Sequence, residues 1–132
     1  MKAYPAEGDS EGARPDVVRL MDGVVAIDCR RPRWFKFGVD TAEGWALGIV
    51  DTPRGLVGYR KDITVVAGAT YAHGAVTEVY NCPEHPYFEL EAHGPLVTLA
   101  PGGRSTLTER RCVFDVAGWP ESEADVRAHV ST

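Results

Sequence analysis

Residues 73–104 read HGAVTEVYNCPEHPYFELEAHGPLVTLAPGGR. Within them, Tyr87-Phe88-Glu89-Leu90-Glu91-Ala92-His93 alternates polar and apolar residues with a strict period of two. That is the period of a β-strand, so Phe88, Leu90 and Ala92 leave one face and Tyr87, Glu89, Glu91 and His93 the other. Glu78 stands in the preceding run, Val76–Tyr80. A hairpin through Cys82–Pro86 would bring a third carboxylate beside those two. Glu89 and Glu91, about 7 Å apart on one face, repel unless a cation or a ligand compensates them. In a concave pocket the repulsion raises one pKa and leaves one protonated acid beside one base. The plainer reading of the same residues is a half-buried strand with a solvated polar face.

Outward from this segment the chain continues as short strands joined by turns. Val17–Leu20 and Val24–Cys29 flank Asp22-Gly23, a strong hairpin signal because a primed turn needs positive φ. Further strands are expected at Trp34–Val39, Trp45–Thr52, Leu56–Arg60, Ile63–Val66, Leu96–Ala100 and Ser105–Val116, the last two flanking the turn Pro101-Gly102-Gly103. Only the tail has helical character. Pro120 suits a first turn, Glu121, Glu123 and Asp125 suit its positive end, and Val126 and Val130 are spaced to dock on a sheet. The expected organisation is a leader over residues 1–15, flexible or loosely attached, a β-domain over 16–118 and a C-terminal helix within 119–132. The fold class is all-β, an antiparallel sandwich with a short C-terminal helix, since 14 glycines and 9 prolines fall between β-branched and aromatic runs.

Composition removes several function classes. With 132 residues there is material for one core. A net charge of −5 argues against nucleic acid as a partner, because a phosphate backbone calls for a basic surface. No apolar run is long enough to span a membrane, and the first residues lack the apolar core of a secretion signal. Cys29, Cys82 and Cys112 are odd in number and widely spaced, which reads as reduced thiols in a cytoplasmic protein.

Other residues carry chemistry of their own. In Trp34-Phe35-Lys36-Phe37-Gly38, Lys36 shares a face with Trp34, and an indole beside an ammonium suits a sugar ring whose CH face stacks while its hydroxyls meet the charge. Snorkelling of the lysine stem over the aromatic is the simpler account. His73 and Glu78 invite comparison with the metal-binding cupins, but Tyr71 stands where a first histidine would be and Thr106 near the place of a last one. Too few ligands survive in that pattern, so neither a metal nor a cofactor is expected from it.

The series Gly44-Trp45-Ala46-Leu47, Tyr71, Glu78-Val79-Tyr80, Phe88-Glu89-Leu90-Glu91, Gly94-Pro95-Leu96 and Leu99-Ala100-Pro101-Gly102 resembles the C-terminal part of bacterial proteins of the galactose mutarotase-like (aldose epimerase-like) superfamily. The resemblance spans roughly residues 17–116. It implies half of a large antiparallel β-sandwich that holds a sugar on a concave sheet, with a glutamate base falling on Glu89 or Glu91. Members are about twice this length, and the region that supplies their catalytic histidine is missing here. A half-sandwich leaves strand edges exposed, which implies a homodimer that rebuilds the missing half.

The expected function is therefore binding of a sugar-like small molecule, with or without acid–base epimerisation. Glu89, Glu91 and His93 are the catalytic candidates, and Trp34, Lys36, His73, Glu78 and Tyr87 the ligand-binding ones. A non-catalytic interaction module and a small cupin- or barrel-like biosynthetic enzyme are the alternatives.

Overall fold

The computed structural model describes residues 2–4, as backbone, and 16–131. Among the described residues nine strands and one helix follow in the order β1 (Lys2–Tyr4), β2 (Val18–Met21), β3 (Val24–Ile27), β4 (Phe35–Val39), β5 (Trp45–Thr52), β6 (Gly55–Ile63), β7 (Thr77–Asn81), β8 (Phe88–Ala92), β9 (Glu109–Val116) and α1 (Glu123–Val130), with a 3₁₀ turn at Ala72–Gly74. The described residues are all-β apart from the C-terminal helix, and every strand pairing among them is antiparallel. Four strands form the sheet β1-β4-β7-β8, three form β5-β6-β9, and β2-β3 is a separate hairpin. No helix among the described residues is long and apolar enough to cross a membrane.

The four-stranded sheet has one apolar and one polar face, as its period-two sequences require. Phe35 and Phe37 stack on the apolar face with ring centroids 5.0 Å apart. They pack with Val17, Val18, Ile27, Cys29 and Val79, so the β2–β3 hairpin covers this part of the sheet. Beyond it, Phe88 and Leu90 of β8 lie against Gly48 of β5; a Cβ there would stand 3.0 Å from the Phe88 ring. The absent side chain is what lets the three-stranded sheet close over β8. On its other side, β5 presents Trp45 and Leu47 to Met21, Val24, Ala26 and Val126, which seats the helix between hairpin and sheet.

The helix is held by charge as well as by Val126. Ser122 caps it, accepting from Asp125 N at 3.2 Å while Asp125 accepts from Ser122 N at 2.9 Å, a reciprocal capping box. Glu123 accepts from Gly23 N at 3.0 Å, tying the first turn to the hairpin. Arg127 bonds both oxygens of Glu43 at 2.9 Å, and Trp45 Nε1 donates to the same carboxylate at 2.8 Å.

Several expected elements differ. Residues 2–4, read as part of the leader, form β1 against β4, while residues 5–15 of that leader and Thr132 lie outside the described residues. Ile63–Val66 is not a separate strand: β6 runs unbroken from Gly55 to Ile63 because β5 and β9 pair along its length. Leu96–Ala100 is irregular and exposed, tied down at its start by the Tyr71–Pro95 bridge and by Leu96 N donating to Thr70 O at 2.7 Å. Alternation without a partner strand does not make a strand. The final strand starts at Glu109 rather than Ser105, and Pro120 precedes the helix instead of entering it.

The helix anchor carries a pH signature. The Arg127 fork, together with the Trp45 N–H, lowers the Glu43 carboxyl from 4.5 to about 2. A depressed carboxyl contributes stability that is complete above its unfolded value and disappears as pH falls through the folded one. In urea unfolding followed between pH 4.5 and 2, the Glu43→Gln protein should therefore lose stability less steeply than the wild type, having started lower at neutral pH. Equal slopes would show that this carboxylate does not anchor the helix.

Candidate functional site

On the polar face, register decides which charges meet. Gly38, Glu78 and Glu91 form one cross-strand row of β4, β7 and β8, and Lys36, Tyr80 and Glu89 form the next. Gly38 adds no side chain to its row, so the Lys36 ammonium crosses diagonally toward the two carboxylates. Lys36 Nζ lies 2.9 Å from Glu78 Oε2 and 2.9 Å from Glu91 Oε1.

Glu78 is the floor of this cluster, with no solvent exposure at all. Its Oε1 accepts a 2.7 Å hydrogen bond from His73 Nδ1, carried by the 3₁₀ turn, where His73 adopts a φ of 54°. Burial pushes the Glu78 carboxyl up, but the Lys36 ammonium and the His73 ring against its oxygens outweigh burial and hold it below its usual range. Lys36 shows the converse. Burial alone would lower it, and the two carboxylates raise it well above the ordinary lysine value. Both groups are charged at neutral pH.

His93 closes the far side. Its backbone N–H bonds to Val76 O at 2.8 Å, extending the β7–β8 pairing by one step. Its ring Nδ1 donates to Ala75 O at 3.0 Å, since a carbonyl can only accept. In the neutral ring the lone pair is therefore on Nε2, which faces Glu78 Oε2 and Glu91 Oε2, each at 3.7 Å. Exposure of the side chains rises from nothing at Glu78 to 16% at His93, 30% at Glu91 and 60% at His73. The cluster thus has a buried base and an accessible rim.

The residues singled out from sequence separate into two groups. Lys36, His73, Glu78, Glu91 and His93 come together. Glu89 does not join them: it is exposed on the row of Tyr80, so the repulsive Glu89/Glu91 pair is resolved by Lys36 binding only Glu91. Trp34 stands at the edge, its ring edge-on to Tyr80 at 6.1 Å. Tyr87 is half-exposed at the far end of the hairpin, stacked on His85 at 5.2 Å. A cavity of ≈ 270 Å³ lies there too, lined by Cys29, Cys82, His85 and Tyr87 among others, and none of the five clustered residues borders it. Burial raises the Cys29 thiol in its wall to about 12, with Asp28 adding to the rise, so it is no thiolate nucleophile. Tyr80 is the residue that sequence reasoning missed. Its position two after Glu78 was the available signal, because period two puts both on one face.

Scanned against protein-family models, curated proteins and solved structures, the chain matches none.

The buried pairing makes a stability prediction. Glu78→Gln should cost about 3 kcal/mol, the low end for breaking a buried ion pair, because Lys36 keeps Glu91 as a partner. In urea unfolding, the double variant with Lys36→Met should be more stable than the sum of the two single changes implies. Additive effects would mean that the two charges are not coupled.

Proposed function

We propose that the polar face of β4, β7 and β8 binds a carbohydrate or a similarly polyhydroxylated small molecule. The observation that carries this reading is the mixed cluster itself: a fixed ammonium, a reachable carboxylate and an imidazole, beside the rings of Trp34 and Tyr80. Sugar hydroxyls donate and accept in equal measure, and their ring CH groups pack on aromatic faces. Glu91 is the carboxylate a ligand would meet. One of its oxygens is engaged by Lys36, the other is turned to His93, and the side chain is 30% exposed. Where the ligand is turned over, the reaction is acid–base ring opening or epimerisation, with Glu91 and His93 carrying the proton. The galactose mutarotase-like resemblance is in keeping with a glutamate base at Glu89 or Glu91, and with it the half-sandwich and the homodimer, while His93 enters by its chemistry alone; the widely spaced cysteines suit a cytoplasmic setting.

The competing reading is a non-catalytic interaction module. It is favoured by the row of exposed apolar side chains Leu96, Val97, Leu99 and Leu107. A panel of sugars and polyols read by thermal shift separates the two. A binding ligand at 100 times its Kd stabilises the native state by about 2.7 kcal/mol. Wild type and Glu89→Gln should show the same ligand-specific rise in Tm, and Glu91→Gln should lose it while remaining folded by circular dichroism. No response to any sugar or polyol, or loss of the response in Glu89→Gln alone, would overturn the assignment.

A further inference from the structure

Three lone pairs converge on the polar face. One oxygen of Glu78, one of Glu91 and a ring nitrogen of His93 lie within 4.8 Å of one another, and His93 Nε2 is 3.7 Å from Glu78 Oε2 and from Glu91 Oε2. The Ala75 carbonyl takes the proton of the other ring nitrogen at 3.0 Å, the outer-shell arrangement that orients a metal-ligating histidine and fixes its tautomer. The independent mark is Glu78 Oε2. It belongs to a side chain with no solvent exposure, stands 3.7 Å from His93 Nε2 and has no partner but the Lys36 ammonium among the described residues. Lys36 sits 2.9 Å from it and 2.9 Å from Glu91 Oε1, so a single ammonium is shared between the two carboxyl groups.

We propose that Glu78, Glu91 and His93 form a binding site for a first-row divalent cation of the Zn²⁺ or Mn²⁺ class, with Lys36 as the resident competitor that sets its affinity. Two carboxylates and one imidazole suit these ions, and three protein ligands leave a coordination position open. Bonds of about 2.1 Å in tetrahedral array separate ligands by about 3.4 Å, so the observed spacings need only modest contraction. The ligand set differs from the cupin pattern weighed from sequence, since His73 is replaced by Glu91 and His93. The proposal shares residues with the sugar reading and does not depend on it: the cation binds with no sugar present.

The test uses the full chain after chelator treatment, titrated with ZnCl₂ or MnCl₂ alone by calorimetry. One cation should bind per chain. His93→Ala and Glu91→Gln should each weaken binding by about tenfold or more, while His85→Ala and Glu89→Gln leave it unchanged. Lys36→Met should bind at least about tenfold more tightly than wild type, and its Tm should rise further on adding the cation, because the two carboxyl groups have lost the ammonium they share. A ligand variant that fails to fold is replaced in the argument by Lys36→Met, whose gain of affinity unfolding could not mimic. The proposal is overturned if wild type and Lys36→Met both bind no cation. It is equally overturned if His93→Ala binds as tightly as wild type, or if binding is lost in His85→Ala.

Discussion

The structure depends on a carboxylate placed where water does not reach. Glu78 has no exposure, and an ionised group there is tolerable only with its compensation in place. That compensation comes from Lys36 on β4, His73 on the 3₁₀ turn and, across β8, the shared hold of Lys36 on Glu91. Three strands and a turn are thereby fixed by one charge. The register follows from it, because a slip of one residue in β7 would turn Glu78 toward Phe37 and the rest of the apolar face. The cluster stabilises less by its own attraction than by the penalty it attaches to every other pairing.

The opposite face of the same sheet obeys a weaker and less specific rule. Phe35, Phe37, Val79, Phe88 and Leu90 need only cover, and they receive it from two different elements: the β2–β3 hairpin and, at Gly48, strand β5. Its core is divided into small clusters, each joining neighbouring elements. The helix adds its contact through Val126 and the Glu43–Arg127 pair. A sheet with one face fixed by charge and the other merely covered can keep its site rigid while its covering layers differ in packing.

Period two made the strand content and the face of Tyr87–His93 legible from sequence, and the hairpin that sets Glu78 opposite Glu91 was legible too. The choice between Glu89 and Glu91 was not. Both are on the same face, and only the β4–β7 register, formed across an intervening β5–β6 hairpin, puts Lys36 within reach of one and not the other. The tautomer of His93 was hidden for a similar reason, because it is set by the carbonyl of Ala75, a backbone group that no residue pattern announces. Leu96–Ala100 shows the reverse error. Its apolar residues resemble a strand, but pairing is a property of two segments, and here it stops at the Tyr71–Pro95 bridge and the Leu96–Thr70 hydrogen bond. The reciprocal Ser122 and Asp125 cap, by contrast, was written in the sequence as S-x-x-D and was overlooked in favour of Pro120.

The difference in burial between Glu78 and Glu91 gives the two carboxylates different work. Glu78 is surrounded, so its charge is spent on holding Lys36 and His73, and any ligand reaching it must come through the rim. Glu91 shares Lys36 but keeps an oxygen toward His93 and toward solvent. A lone lysine between them serves both at once, since its positive charge lies equally close to each. Whatever binds must either join that lysine, as hydroxyl groups can by accepting from it, or displace its charge, as a cation does. Both kinds of ligand are therefore decided at Lys36, a residue 55 positions before Glu91 and brought there by the pairing of β4 with β7.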